Sequence, residues 1–150
     1  MIDWSTKKVI ILDRDGVINH DSDAYIKSAD EWVPIAGSLS AIATLNQRFK
    51  VAIATNQSGI GRGFYDEAVL SEMHHKMAQL LQEQGGHIDH IEFCPHHPDD
   101  GCDCRKPKPT MLERIAEIFN ATPEQVVFIG DSKSDYDCAQ NFGCDFVLLL

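Results

Sequence analysis

The sequence predicts one α/β domain built on a doubly wound parallel sheet of about five strands. Five short apolar runs alternate along the 150 residues with four stretches of helical periodicity. The apolar runs are continuous, which is typical of strands buried on both faces of a parallel sheet. Because strands and helices alternate, helices should cover both faces of that sheet. We therefore expect a single domain over residues 1–150.

The strands are predicted from β-branched apolar runs. The first covers Lys8 to Leu12, and polar residues follow it at once. The other four runs lie at Val51–Ala54, Ile88–Phe93, Val126–Ile129 and Phe146–Leu150.

Helical stretches fill the intervals, at about residues 37–48, 66–84, 110–120 and 134–142. In the second stretch, apolar residues recur at helical spacing: Val69, Leu70, Met73, Met77, Leu80 and Leu81. Thr122 and Pro123, with Gln125 behind them, combine a capping residue, a proline at the first helical position and a second capping side chain. They predict a short helical turn before the fourth strand.

Composition and charge limit the function classes. The formal net charge of −10 argues against a nucleic-acid partner, which would require a basic footprint. No apolar run approaches the ~20 residues that span a membrane. Residues 1–5 lack a signal-peptide core, so we expect a cytoplasmic protein with reduced cysteines, and a monomer.

Polar residues follow three of the predicted strands. Asp13 and Asp15 come after the first strand, Thr55 and Asn56 after the second, and Asp131 after the fourth. In an open parallel sheet the catalytic crevice lies beyond the carboxyl ends of the strands, so these side chains should converge there.

The chemistry of the acidic pair follows from its spacing. In Asp13-Arg14-Asp15-Gly16, two carboxylates can address one small site from a glycine-permitted turn. One can attack as a nucleophile while the other donates and later accepts a proton. A hard divalent cation would neutralise the charge beside a phosphate. Taken alone, the same residues could form an acidic turn without catalytic function.

A cluster of cysteine and histidine predicts a structural zinc site. Cys94, His96, Cys102 and Cys104 form a Cys-x-His-x5-Cys-x-Cys array in a proline-rich segment that disfavours a helix. Residues two apart in an extended chain project to the same side, and three thiolates with one imidazole complete a tetrahedral zinc site. The adjacent His97 stays open as an alternative ligand. Free cysteines in a loop are the simpler alternative.

Four motifs together resemble those of haloacid-dehalogenase-type phosphatases, in order. They are Asp13-Arg14-Asp15-Gly16-Val17, Thr55-Asn56, Lys106, and Gly130-Asp131 with Asp135. The resemblance covers nearly the whole chain and implies Asp13 as the nucleophile and Asp15 as the general acid/base. It implies that Thr55 and Lys106 hold the phosphoryl oxygens.

The resemblance also implies a magnesium site and no cap domain. Magnesium would be bound by Asp13, the backbone carbonyl of Asp15 and Asp131, with Asp135 orienting the site. Ser132 stands where some relatives carry a basic residue. The intervals between the motifs leave no room for a large cap domain, so the site should be open.

Two branches of the family carry a zinc loop followed by Arg-Lys-Pro. One removes the 7-phosphate of heptose 1,7-bisphosphate for lipopolysaccharide core sugars, and the other hydrolyses histidinol phosphate. The stretch Thr55–Gly63 resembles the heptose branch, and Arg105 resembles the residue that reaches the second phosphate or the sugar. The implied substrate contacts are Asp21, Asp23, Tyr25, Thr55, Asn56, Gln57, Ser58, Arg105, Lys106 and Ser132.

Two other function classes stay open. A metal-stabilised binding module would have no need for both Asp13 and Asp15 on one turn. A phosphatase acting on a partner protein would need a complementary surface. The heptose reading predicts a small phosphorylated sugar as the partner.

Overall fold

Five parallel strands form the sheet. A computed structural model describes residues 1–150. The strands are β1 (Val9–Leu12), β2 (Lys50–Asn56), β3 (His90–Cys94), β4 (Val126–Gly130) and β5 (Asp145–Leu148), in the order β3-β2-β1-β4-β5. All four neighbouring pairs are parallel. The predicted fold class is confirmed, although β5 ends two residues earlier than the apolar run suggested.

Four helices connect the strands: α1 (Ser38–Asn46), α2 (Glu67–Glu83), α3 (Thr110–Ile118) and α4 (Lys133–Phe142). Short 3₁₀ turns occur at Trp4–Thr6, Pro98–Asp100 and Pro123–Gln125. At the last of these, the side chain of Gln125 accepts a hydrogen bond from the backbone N–H of Thr122 at 3.0 Å. The turn predicted before β4 is therefore present, with its capping box.

The core consists of two apolar layers, one on each face of the sheet. Ile10, Val51 and Ile53 face the layer that contains residues of α1 and α2. Val9, Ile11 and Ala52 face the opposite layer, which contains residues of α3 and α4. Cys138 and Cys144 are buried in this second layer, as expected of packing residues. Burying each large apolar side chain contributes roughly 1.5–3 kcal/mol.

The strand order creates a crevice at the carboxyl edge. The chain passes from β1 to β2 and β3 on one side, whereas β4 and β5 lie on the other side of β1. Loops that leave the strands at such a switch point diverge and leave space between them. No helix combines the length and hydrophobicity that a membrane span requires.

Candidate active site

A cavity of about 360 Å³ opens at this edge. All of the predicted catalytic, substrate-binding and magnesium residues contribute to its lining: Asp13, Asp15, Asp21, Asp23, Tyr25, Thr55, Asn56, Gln57, Ser58, Arg105, Lys106, Asp131, Ser132 and Asp135. The volume lies within the range of small-molecule sites.

The turn after β1 places its two carboxylates. Asp13 still pairs with β4, since its N–H donates to the carbonyl of Ile129 at 3.0 Å. Gly16 then turns the chain with a φ of +86°. A Cβ atom on Gly16 would lie 1.9 Å from Oδ2 of Asp131, so this position requires glycine both for its backbone conformation and for the close carboxylate.

Lys106 lies at the centre of a buried ion triad. Its Nζ donates to Asp13 Oδ1 at 2.9 Å, to Asp135 Oδ1 at 2.7 Å and to the carbonyl of Ala54 at 3.0 Å. Burial alone would lower the pKa of Lys106, but the two carboxylates raise it above the usual lysine range. The side chain is therefore a fixed cation beside Asp13, with all three N–H donors occupied.

The acidic groups around Lys106 could hold a metal ion. Burial raises the pKa of Asp13 to about 7, against the attraction of Lys106, and Asp135 raises it further. Carboxylate oxygens of Asp13, Asp131 and Asp135 lie within 4.8 Å of one another. Burial and the charge of Asp135 also raise the pKa of Asp131. Clustered oxygen donors of this kind suit a hard divalent cation, whose charge would favour the ionised forms.

Four predicted zinc ligands converge beside the cavity. Sγ of Cys94 lies 3.5 Å from Sγ of Cys102 and 2.7 Å from Sγ of Cys104. Nδ1 of His96 lies 3.2 Å from Sγ of Cys104 and 3.5 Å from Sγ of Cys94. His97 does not join them, because its Nδ1 accepts from the N–H of Asp99 and caps the 3₁₀ turn. Three thiolates and one imidazole are a ligand set typical of tetrahedral zinc, whose bonds of about 2.3 Å to sulfur hold two sulfurs about 3.8 Å apart. The Cys94–Cys102 distance is close to this value, whereas Cys94 and Cys104 would have to separate by about 1 Å to bind the ion.

The cysteine loop contacts the polar loop after β2. Asn56 lies opposite Cys94 in the β2–β3 register. The N–H of Gln57 donates to the carbonyl of Cys94 at 2.8 Å, and that of Gly61 donates to the carbonyl of Pro95 at 2.8 Å. A Cβ on Gly61 would lie 2.4 Å from the backbone nitrogen of His97. The two loops are therefore held together through their backbones.

This contact continues to Lys106. Oδ1 of Asn56 accepts from the backbone N–H of Lys106 at 3.1 Å, and the Asn56 amide donates back to its carbonyl at 3.4 Å. Asn56, at the end of β2, therefore fixes the backbone of the buried cation.

Five residues of the cavity were not predicted from the sequence. Ser22, Ile26, Arg62, Tyr65 and Ser134 also line it. Arg62 stacks over the ring of Tyr25, with its Cζ 5.5 Å from the ring centroid. Ser22 could have been predicted from the sequence, because it lies between Asp21 and Asp23. For Arg62 and Tyr65, the sequence contains no indication beyond their place in the loop after β2.

The sequence and the fold match characterised proteins over most of the chain. The sequence model of the family of haloacid dehalogenase-like hydrolases matches residues 7–143 of this chain. The chain is 57% identical over 143 residues to a D-glycero-beta-D-manno-heptose-1,7-bisphosphate 7-phosphatase of Pseudomonas putida, covering 95% of this chain and 82% of the relative. The relative of the same name from Bordetella bronchiseptica is 51% identical and covers 91% of this chain and 77% of its own length.

A solved structure agrees with these relatives. The D,D-heptose 1,7-bisphosphate phosphatase of B. bronchiseptica, determined with magnesium and phosphate, superposes with a TM-score of 0.92 at 51% identity. The match covers 94% of this chain and 79% of the other.

Proposed function

The chain belongs to the haloacid dehalogenase-like hydrolases, and we propose that it removes the 7-phosphate from D-glycero-beta-D-manno-heptose 1,7-bisphosphate. In this role it would act in the cytoplasm, as a monomer, in the synthesis of lipopolysaccharide core heptose. The observation that carries the proposal is the placement of Asp13 against the buried cation Lys106, beside Asp15, in an open cleft.

Asp13 is proposed to attack phosphorus. Its Oδ1 accepts from the backbone N–H of Arg14 and from Lys106, both at 2.9 Å, which leaves Oδ2 as the nucleophile. As the new bond forms, the bond from phosphorus to the sugar oxygen breaks and Asp15 gives that oxygen a proton. Water then attacks the aspartyl-phosphate, Asp15 takes its proton, and phosphate leaves Asp13. Thr55 would hold the phosphoryl oxygens by its hydroxyl throughout, and Lys106 would attract them by its charge, since its three N–H donors are already engaged.

Magnesium is the proposed catalytic cation. Asp13, Asp131 and the backbone carbonyl of Asp15 would bind it, and Asp135, which accepts from Lys106 and from the N–H of Asp131, would orient the site. When bound, the ion would neutralise charge on the phosphoryl group and on the carboxylates. The oxygen donors of the three aspartates support this assignment.

The second phosphate or the sugar is assigned to Arg105. Its Nη1 is buried at the cavity and has no hydrogen-bond partner. A buried donor left without an acceptor costs roughly 1–3 kcal/mol, which an anionic ligand would recover. The remaining proposed substrate contacts are Asp21, Asp23, Tyr25, Asn56, Gln57, Ser58 and Ser132, which share the lining.

The four residues Cys94, His96, Cys102 and Cys104 are proposed to bind a structural zinc ion. All four ligand positions would be filled by protein, so no site would remain for substrate. The zinc would order the loop that delivers Arg105 and Lys106.

Histidinol phosphate is the second candidate substrate, because Asp21 and Asp23 line the cavity and would suit a cationic amine. Phosphate release should be compared for the two substrates in magnesium buffer, with ³¹P NMR of the heptose product. We expect a preference of about a hundredfold or more for the heptose, and a product that retains the anomeric phosphate. Preference for histidinol phosphate, or loss of the anomeric phosphate, would refute the proposal.

Asp13→Asn is the matched control for the covalent mechanism. It should abolish turnover while leaving the thermal unfolding cooperative. Turnover near that of the wild type would exclude Asp13 as the nucleophile.

A further inference from the structure

Arg14 is a fully buried cation with no part in the mechanism so far. Its side chain is 0% exposed. Nε and Nη2 both donate to Oδ1 of Asp15, at 2.9 and 2.7 Å. Burying an unpaired guanidinium would cost several kcal/mol, so its pairing with Asp15 is a requirement of the fold.

The two oxygens of Asp15 have different environments. Oδ1 accepts from two guanidinium nitrogens and from Nδ2 of Asn19 at 2.9 Å. Oδ2 accepts only from Nε2 of Gln57, at 3.1 Å. The same Gln57 nitrogen donates to Oγ1 of Thr55 at 3.0 Å, so Oδ2 lies on the side of the residue that would hold phosphate. Oδ1 is fully engaged, and Oδ2 retains a free lone pair.

The groups behind Arg14 prevent it from turning away. Nη1 lies 3.5 Å from Sδ of Met73 and 3.3 Å from Nε2 of His74, both on α2. Burial lowers the pKa of His74 to about 4, and Arg14 lowers it further, so the ring is neutral and can accept. Nη2 also donates to Oε1 of Gln57 at 3.4 Å.

Gln57 is itself fixed at both ends. Its Oε1 accepts from the hydroxyl of Tyr65 at 2.5 Å as well as from Arg14, and its Nε2 serves Asp15 and Thr55. Gln57 is 3% exposed. In the free protein its amide therefore acts chiefly within this network.

We propose that Arg14 is a positioning residue for the hydrolysis. It holds Oδ1 of Asp15, so that Oδ2 is the oxygen that gives a proton to the leaving group and later takes one from water. The inference rests on the proposed aspartyl-phosphate mechanism and assigns a role to a residue that lines no part of the cavity.

The test separates the two chemical steps. An aryl phosphate such as p-nitrophenyl phosphate has a leaving group that needs no proton, so formation of the aspartyl-phosphate should not depend on Asp15 as an acid. Hydrolysis of the intermediate still needs Asp15 as a base. Arg14→Lys keeps the positive charge but loses the planar guanidinium that donates two hydrogen bonds to Asp15. In this variant, stopped-flow measurements should show a burst of nitrophenolate within about twofold of the wild-type rate. The steady-state rate should be lower by about 10–100-fold.

An alkyl phosphate also tests the role of Asp15 as an acid in the first step, the transfer of the phosphoryl group to Asp13. With heptose bisphosphate in single turnover, Arg14→Lys should slow transfer to Asp13 by about tenfold or more, because the sugar oxygen needs the proton. If both steps and both substrates change by one common factor, or if nothing changes, the role of Arg14 is refuted.

Lys76→Met provides the matched control. Lys76 is also on α2, and its Nζ donates to the carbonyls of Ala29 and Trp32 at 2.8 and 2.6 Å, without contacting Asp15. It should lower stability without changing the ratio of burst to steady-state rates. If Arg14→Lys does not fold, Asn19→Ala can replace it, because Asn19 also donates to Oδ1 of Asp15. This variant should shift the ratio of burst to steady-state rates in the same direction. An unchanged ratio would refute the proposal. Absence of an aspartyl-phosphate in the wild type would refute the proposed function instead.

Discussion

Replacing Lys106 by methionine tests whether the buried triad is an energetic unit. Lys106 is 3% exposed, and its three hydrogen bonds join Asp13, Asp135 and the carbonyl of Ala54. Methionine is of similar length but carries no charge. Lys106→Met would therefore leave two carboxylates buried beside one another without a cation.

The expected loss of stability in Lys106→Met is large because both carboxylates stay in the interior. The Asp135 side chain is 1% exposed and that of Asp13 is 13% exposed. Removing one partner of a buried ion pair typically costs about 3–5 kcal/mol, and we expect Lys106→Met to fall in this range. Asp135→Asn should reduce the stability by less, about 1–3 kcal/mol, since Lys106 remains paired with Asp13. The double variant should be more stable than additivity predicts, by about 1–3 kcal/mol.

The assay is urea unfolding in magnesium-free buffer that leaves zinc in place. Burial raises the pKa of Asp13 to about 7, so lowering the pH from 8 to 6 lets the folded state take up a proton there. A neutral Asp13 has less need of a cation, so the stability gap between Lys106→Met and the wild type should narrow towards pH 6. Turnover should fall by about a hundredfold or more at any pH, because the phosphoryl group loses its cation.

Lys133→Met is the control, because its ion pair with Asp137 is at the surface, with the Lys133 side chain 85% exposed. It should change stability by no more than about 0.5 kcal/mol. A comparable loss in the two lysine variants, or strict additivity of Lys106→Met with Asp135→Asn, would refute the idea that burial makes the triad cooperative.

Three further outcomes are expected. Cys102→Ala should lower the zinc content and reduce the melting temperature by roughly 5–10 °C. Cys138→Ala, which changes a cysteine of the core, should keep its zinc. Unchanged melting and turnover in a verified zinc-free protein would contradict the structural role of the zinc. Because burial lowers the pKa of His74 to about 4, the fold should lose up to about 3 kcal/mol as the pH falls from about 6.5 to 4, and urea titrations of His74→Gln should lack this part of the loss. Because the pKa of Asp13 is about 7, apparent magnesium affinity by calorimetry should fall about tenfold per pH unit below 7, and a flat profile would contradict the role of Asp13 as a ligand.

Much of the site could be predicted because its residues follow strands. Asp13, Thr55 and Asp131 each lie at or just beyond the end of a parallel strand. The pairing of Leu12 with Ile53 and with Ile129 places those ends side by side, so a position along the sequence becomes a position in space. The clustering of Cys94, His96, Cys102 and Cys104 could be predicted in a similar way, from their short spacings along the chain.

The sheet, its carboxyl edge and the types of residue at that edge could therefore be predicted from the sequence, because periodicity and strand ends are local properties. Tertiary structure alone decided which histidine joins the cysteines, because His97 is taken by the cap of a 3₁₀ turn while His96 is free to turn inward. It also decided that Lys106 reaches Asp13 across 93 residues of chain. The burial of Arg14 against Asp15 depends on α2 as well, and no local pattern records which side chains will meet when distant segments pack.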